Sequence, residues 1–509
     1  MFDPRSPNRI INYRPLLFAA VGFIAGIASF EAICRSGLKT GFLAAALILA
    51  VAAAGALLIR SLRMHRAPAA VLAAAFLIGL ARMAAAMPDT IRPGLHRIEG
   101  VVVSVSDNSA STVVLKDARI DGDRLSYRVK LDLNGGRACV GEAVEAKAEA
   151  KNPSRRFGAY DERLVMLSSG ISVTAKAESW SVTARNRLPV TQWLAGVRSL
   201  LEERIETVFG SEADIAAGFL IGRRTGIDEA DNDSFKTTGT AHIMSLSGFH
   251  VGLITALLLF VLPKRYYAAR TAAVGAFLLL YCAVASFTPS LVRASIMCMA
   301  VLLADAFMKP RDPLSSLSLA AIAILFAAPY KLWSAGFVLS FSATFGIIAV
   351  TSAGAFNYGS RALNKLMGAV AVTLGATAAT ALVTARYFGY FPTYALIANI
   401  TAVPIFAVAV TFSFAVLLIA VPFPGAASVL AHAPRMLIRI AMRILEGLSS
   451  LPYASIEVFR PSMLSFLLML LIIFTVSPFV LRPIKSRIKM ALPLFLLFTA
   501  SLIADIIRA

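Results

Sequence analysis

The stretch GTAHIMSLSGFHVGLITALLLFVL, residues 239–262, places His242, Ser245, Ser247, Gly248 and His250 at the head of a long apolar run. Lipid offers polar side chains no hydrogen-bond partners, so such groups face a water-filled cavity or the interior of a helix bundle. Gly239, Gly248 and Gly252 let the backbone bend or approach a neighbour closely, and the two serines can satisfy backbone groups freed by a break. The expectation is a broken or kinked head to a membrane span, of the kind that lines pathways. Two other chemistries compete with that reading. His242 and His250 are separated by about 12 Å on an ideal helix, too far to share an ion unless the helix breaks, and no HxHxDH, HExxH or CxxC pattern occurs in the chain. Ser245 and His250 are off the one-turn spacing and have no orienting carboxylate nearby, which speaks against a hydrolase. No catalytic residue, metal site or cofactor is expected. The bland alternative, polar rings packed near a membrane interface, stays open.

The elements that position this stretch follow from composition. The chain has 509 residues, 58% hydrophobic and 15% charged, which belongs in a bilayer. Apolar runs of roughly 17–25 residues begin near Pro15, Gly41, Ala67, Met244, Ala268, Leu291, Pro313, Leu332, Leu366, Tyr394, Met463 and Met490. They predict a mainly α polytopic membrane protein with about 11 transmembrane helices. The first run follows Arg5, Arg9 and Arg14, but further apolar runs follow it closely, so it reads as a retained helix and not a signal peptide. Arginines before the first run and Arg60, Arg63 and Arg66 after the second mark cytoplasmic ends. Three spans then place residues 88–188 outside the cytoplasm. Later basic loops alternate as expected until Arg435, Arg439 and Arg443, where the parity fails. The net charge of +20 is thereby largely assigned to cytoplasmic loops; residues 88–188 carry 16 Lys and Arg against 13 Asp and Glu, only +3. Only Cys139 lies in that segment, so no disulfide forms within it.

Residues 97–150 alternate like half-buried strands in RIEGVVVSVS, STVVLKDARI and RLSYRVKLDL, with Asp121-Gly122 and Asn134-Gly135-Gly136 as tight-turn signals. With ISVTAKAESW as a further strand they predict a small extracytoplasmic β-barrel (OB-like) domain of about five strands, a type that often binds oligonucleotides. A β domain without ligand is the alternative. From Trp193, Leu194, Val197, Leu201, Ile205 and Val208 recur at helical spacing with charges on other faces, describing an amphipathic helix on the membrane surface or the bundle. The expected divisions are 1–87, a three-helix membrane segment; 88–190, the β domain; 191–238, the amphipathic helix and connection; and 239–509, a polytopic domain.

The stretch GFLIGRRTGIDEADNDSFKTTGTAHIMSLSGFHVGLI, residues 218–254, resembles the signature of the ComEC family, the inner-membrane DNA channel of natural competence. His242, Ser247, Gly248, His250 and Val251 fall on its Gly-x-x-His-x-x-Ala-x-Ser-Gly-x-His-Val block, with Leu246 where a small residue is common. TPSLVRASIM, DPLSSLSLAAIAILFAAPYKLWSAGFVLSFSATFGI and YFPTYALIANITAVP fit in order, and NPSRRFGAYDERLVMLSSGI is similar to the end of the family's amino-terminal domain. The resemblance covers residues 15–480 and implies an inner-membrane channel for single-stranded DNA in natural transformation, not an enzyme, in the bacterial cytoplasmic membrane. Many members carry a carboxy-terminal metallo-β-lactamase-like domain; this chain ends at Ala509, so degradation of the other strand is expected of another protein.

Such a channel needs cations in a hydrated path and flat surfaces for bases. Arg293 after Thr288-Pro289 and Arg386 beside Tyr387, Phe388, Tyr390, Phe391 and Tyr394 supply both. Snorkelling and an aromatic belt are their bland readings. The expected path comprises His242, Ser245, Ser247, Gly248, His250, Arg293, Phe337, Ser340, Arg386, Tyr390 and Asn399. Phe337 and Ser340 have a packing role as the alternative, and Arg435, Arg439 and Arg443 read as an amphipathic helix, not a DNA track. No GxxxxGK[ST] loop occurs, so energy must come from a cytoplasmic translocase, strand-binding proteins or the membrane potential. A DNA receptor on the outer side, membrane lipid and a second copy of the chain complete the expected partners. A secondary transporter of a small solute and an intramembrane hydrolase are the competing readings; scarce intramembrane carboxylates such as Asp305 argue against proton coupling.

Overall fold

A computed structural model describes residues 14–36, 66–106, 109–153, 161–184, 189–223, 226–244, 246, 248–263, 265–352 and 360–508. The apolar run near Gly41, the arginines at 5, 9, 60 and 63, and Ser245 and Ser247 lie outside those residues. Among the described residues, in chain order, α1 (Pro15–Ser36) and α2 (Arg66–Ala85) precede strands β1 (Gly94–Ser106), β2 (Ser109–Ile120), β3 (Asp123–Arg124), β4 (Arg128–Asp132) and β5 (Ala143–Lys151). A short α3 (Glu162–Ser168) leads into β6 (Ile171–Ala184), then α4 (Pro189–Phe209), α5 (Ala213–Ile221), α6 (Glu229–Thr237), α7 (Gly248–Val261), α8 (Tyr267–Val284), α9 (Pro289–Ala306) and α10 (Pro313–Ala327). There follow α11 (Ala335–Thr351), α12 (Arg361–Phe388), α13 (Ala395–Ala420), α14 (Pro424–Leu430), α15 (His432–Ser449), α16 (Met463–Val476) and α17 (Ile484–Arg508).

Among the described residues, 7 helices are long and apolar enough to cross a membrane: α1, α2, α8, α9, α12, α13 and α17. The shorter apolar helices are α7, α10, α11 and α16. The described apolar runs are helical over most of their length, and a helix pairs its own backbone groups as a bilayer demands.

The chain forms two compact units, one from residues 1–87, 296–391 and 456–509, the other from residues 88–295 and 392–455. In the first, α1 and α2 meet backbone to backbone. A Cβ added at Gly22, Gly26 or Gly79 would overlap the carbonyl oxygens of Leu72, Phe76 or Phe23 respectively. This is small-residue packing, in which backbone approach takes over the role that the hydrophobic effect cannot play in lipid. Gly346 of α11 and Gly375 of α12 repeat the device. Arg14 ties the head of α1 to Asp312 before α10 (2.8 Å) and lies 5.3 Å from the centre of the Phe479 ring.

In the second unit, β1 pairs antiparallel with both β2 and β5, β5 with β6, β6 parallel with β4, and β4 with β2. The hydrogen-bonded order β1-β5-β6-β4-β2 thus returns to β1, and β3 extends β2 as a hairpin. Alternate residues fill its core, among them Ile98, Val102, Val113, Leu115, Val129, Leu131, Val144 and Val173. The turn signals are used as read: Asp121 and Gly122 have φ of 52° and 96°, Asn134 and Gly135 51° and 91°, the left-handed pair a two-residue turn needs. Trp180 packs against the core and lies over Gly136, where any Cβ would overlap its ring.

The chain before β1 is pinned to this domain. The Ile91 amide donates to the Asn152 side chain (3.2 Å), which donates back to the Ile91 carbonyl (2.7 Å), and Asp89 accepts from the Ser126 amide (2.9 Å). His96 Nδ1 lies 2.6 Å from Asp121 and Nε2 2.8 Å from the Arg92 carbonyl. The hydrogen bond to Asp121, and then the one to Arg92, raise the imidazole above its ordinary value of 6.5. The contact stabilises the fold fully below that ordinary value and is lost as pH rises through the higher folded value.

Two outcomes follow. Gly26→Leu is expected to cost about 1–3 kcal/mol or more by overpacking, seen as a lower melting temperature and membrane level, whereas Gly368→Leu, whose Cβ would meet nothing within 4 Å, leaves both unchanged. In histidine-labelled protein, the NMR titration of His96 has its midpoint above 6.5, and Asp121→Asn moves it down; an unmoved midpoint would contradict the pairing.

Candidate functional site

The stretch at residues 239–262 is built into the second unit by small sockets and buried hydroxyls. Helix α6 ends at Thr237, and Gly239 takes φ +72°, a left-handed turn with Pro392 and Ala395 so close that a Cβ would lie 2.8 Å and 3.0 Å from them. Thr238 and Thr240 are fully buried. The Thr238 hydroxyl donates to the Ser234 carbonyl (2.6 Å) and shares a hydrogen bond with Thr240 (2.9 Å), so the polar groups freed where the helix stops are satisfied in place. Met244 fills the space above Gly218 of α5, and Leu246 approaches the position a Cβ would take on Gly222 to 3.3 Å. Helix α5 is itself held by the Tyr281 hydroxyl of α8, which donates to the Leu220 carbonyl (2.8 Å).

The apolar run read from Met244 begins as a helix only at Gly248; before it, residues 241–243 form a turn and Met244 a bend. The polar block is thereby divided. His242 lies exposed in the turn with Nδ1 3.2 Å from the Gly239 carbonyl, whereas His250 is in the first turn of α7 and 2% exposed. Ideal-helix spacing between the two histidines therefore does not apply. Among the described residues, no three His, Cys, Asp or Glu side chains converge as a metal ion would require.

One pairing in this unit joins two distant parts of the sequence. Ser286 and Phe287 have left-handed φ of 56° and 51° and reverse the chain between α8 and α9, bringing Arg293 of α9 back toward α7. Its guanidinium Nη2 lies 3.2 Å from where a Cβ on Gly248 would be. Arg293 is 7% exposed, in a helix apolar enough to cross a membrane. The absence of a side chain at Gly248 thus admits a buried cation against the amino end of a helix, which itself carries partial positive charge. Asn399 is half-buried on α13 of the same unit.

Phe337, Ser340, Arg386 and Tyr390 belong to the other unit. Phe337 is buried, its ring stacked on Phe341 at 4.2 Å, and its amide donates to the Ser334 hydroxyl that caps α11. The Ser340 carbonyl accepts from Thr344, one turn on. Arg386, in the last turn of α12, donates to the Pro461 carbonyl (2.8 Å), and Tyr387 to the Trp333 carbonyl (3.1 Å). Tyr390 is half-buried on a three-residue strand.

Sequence reasoning missed a buried carboxylate. Glu212, between α4 and α5, is 6% exposed and is gripped by Arg435 (3.0 Å) and Arg439 of α15, with the Ser211 hydroxyl donating as well (2.9 Å). Burial alone would push the Glu212 carboxyl up; the hydrogen bonds from Arg439, Arg435 and Ser211 overcome that and hold it below the usual carboxylate range. The two arginines of the stripe are thus structural ligands of α15, whose apolar face buries Ile438, Met442 and Leu445. The signal was the four-residue arginine spacing; its partner, more than 200 residues earlier, had none.

The competence protein family model matches residues 219–482, just over half of the chain. The chain belongs to the competence protein family. The matched segment contains the whole His242–His250 block, Arg293, Phe337, Ser340, Arg386, Tyr390 and Asn399. The chain is also similar to ComE operon protein 3 of Bacillus subtilis (strain 168), 30% identical over 141 residues, which are 27% of this chain and 18% of that protein. These matches agree with the ComEC resemblance of the signature stretch. No solved structure matches the chain.

Glu212→Gln is expected to lower stability by about 1–3 kcal/mol, a discounted figure because Arg439 is half in solvent. The wild-type contribution is present above the ordinary carboxylate range and is lost as pH falls through the depressed folded value. Melting curves of wild type and variant should therefore converge in acid and separate at neutral pH; parallel curves would contradict the ion-pair role.

Proposed function

We propose that this chain forms an inner-membrane passage for single-stranded DNA during natural transformation, with the β domain outside the cytoplasm and the head of α7 in the path. Family membership supports a part in DNA uptake. The observation that carries the residue-level reading is the buried guanidinium of Arg293 against Gly248 at the amino end of α7. Other engaged arginines sit where the electrostatics of a helix favour them. Arg82 donates to the Phe326 and Ala327 carbonyls at the carboxyl end of α10, Arg487 to Val476 at the end of α16, and Arg270 to Leu259 in the last turn of α7. Arg293 is placed differently, with its guanidinium against the amino end of α7, and a phosphate is a group that a cation and a helix amino end both suit.

The strand pairing that returns to β1, with β4 and β6 parallel, supports reading the β domain as an OB-like barrel, a fold that tracks single strands. In this reading the chain is a conduit and not an enzyme. A receptor delivers DNA from outside, and a cytoplasmic translocase or strand-binding proteins draw it inward. Arg386, tied to the Pro461 carbonyl, serves chiefly to fix α12 against the segment before α16, and His250, buried in the first turn of α7, packs the head of that helix.

The test is uptake of fluorescently labelled double-stranded DNA by cells lacking the protein and complemented with wild type, Arg293→Ala or Arg293→Lys, with membrane levels checked by immunoblot. Arg293→Ala is expected to lower uptake about tenfold or more at unchanged level, the size of a lost charged hydrogen bond, and Arg293→Lys to retain part of it. Label that enters equally well without the protein would remove the proposal. Arg386→Ala, by contrast, should lower the amount of protein along with uptake.

A further inference from the structure

The segment from Leu481 to Lys489 joins α16 to α17 and carries Arg482, Lys485, Arg487 and Lys489 within eight residues, while no Asp or Glu occurs between Glu457 and Asp505. Arg487 is occupied: it is half-buried and donates to the Val476 carbonyl (2.9 Å), closing the end of α16. Arg482, Lys485 and Lys489 are exposed, the two lysines one turn apart on the first turns of α17. Beside them, Leu481, Ile484 and Ile488 are 40%, 50% and 56% exposed. Most of α17 beyond is apolar and exposed as well, as a helix facing acyl chains would be.

We infer that this segment is an anionic-lipid site: Arg482, Lys485 and Lys489 hold phosphate-bearing headgroups of negatively charged lipids while Leu481, Ile484 and Ile488 enter the acyl boundary below them. The chemistry fits at both levels. Ammonium and guanidinium groups on long stems reach headgroup phosphates while their methylenes lie along apolar surface. A cluster of about four basic residues at the end of a membrane helix attracts anionic headgroups by roughly 1 kcal/mol per residue. Neutral lipids carry phosphate too but no net charge, so the site discriminates by net charge. A nucleic-acid surface would pair such cations with exposed rings for stacking. Between Phe479, which is buried, and Phe495 the sequence has no aromatic residue.

The test uses the full chain in detergent micelles, titrated with phosphatidylglycerol or phosphatidylcholine and followed by native mass spectrometry. Wild type is expected to prefer phosphatidylglycerol. The triple variant Arg482→Gln, Lys485→Gln, Lys489→Gln loses that preference by about fivefold or more, and 1 M salt weakens it in wild type. A variant with Arg361→Gln and Lys365→Gln, at the exposed head of α12, keeps it. An unchanged melting temperature, expected because Arg487 is left in place, separates lost binding from lost folding. No preference in wild type, or a preference that survives the triple substitution, overturns the inference. So does a triple variant that keeps its lipid preference but no longer binds a fluorescent oligonucleotide, which would assign the segment to nucleic acid.

Discussion

The last carbonyls of a helix that ends in or near lipid have no intrahelical donor and no dependable water, and this structure depends on how that deficit is met. Arginine meets it repeatedly. Arg82 reaches from α2 to two carbonyls that end α10, Arg487 reaches back to the end of α16, and Arg270 reaches across from α8 to the last turn of α7. In each case a guanidinium satisfies a hydrogen-bond acceptor and complements the negative end of a helix dipole at once. The cations also fix which helix ends lie side by side. Part of the +20 net charge is therefore structural and says nothing about nucleic acid by itself.

Against that background, the different placement of Arg293 acquires meaning. A Cβ at position 248 would lie 3.2 Å from the guanidinium, so a larger residue would make the arginine give way by a few tenths of an ångström, and the left-handed residues Ser286 and Phe287 turn the chain into α9. The placement also requires that α7 start at Gly248 and not at Met244, which the buried Thr238 and Thr240 hydroxyls and the sockets at Gly218 and Gly222 enforce. A left-handed connection and the Gly248 contact thus meet at one buried cation near the amino end of a helix. Local strain and small residues held by surrounding structure are characteristic of places where function constrains packing.

The two units use different cohesive forces. In the first, the α1–α2 and α11–α12 pairs rely on backbone approach through glycine, the solution suited to lipid. In the second, the β domain has an aliphatic core of the kind found in water-facing proteins, and its lead-in chain is pinned by the Asn152 side chain and by His96 and Asp121. In the same unit, the junction of α4 and α5 is joined to α15 by an ion-paired carboxylate, Glu212.

Hydropathy and period-two alternation were local, and they made much of the fold legible: the described apolar runs are helices, the strand-like segments are strands, and the turns at Asp121-Gly122 and Asn134-Gly135 take the backbone their residues allow. These are properties of a few neighbouring residues, set by side-chain volume and φ preference, so sequence alone determines them. The signature stretch likewise pointed to the region around His242 to Arg293 and to the family. Which residues meet there was not local. The closeness of Gly248 and Arg293, 45 positions apart, and of Glu212 to Arg435 and Arg439, more than 200 apart, depends on chain reversals and helix docking that only the tertiary structure decides. The same holds for Arg386: the sequence shows a cation beside aromatic residues, and only the structure shows that its half-buried guanidinium donates to the Pro461 carbonyl, 75 positions on.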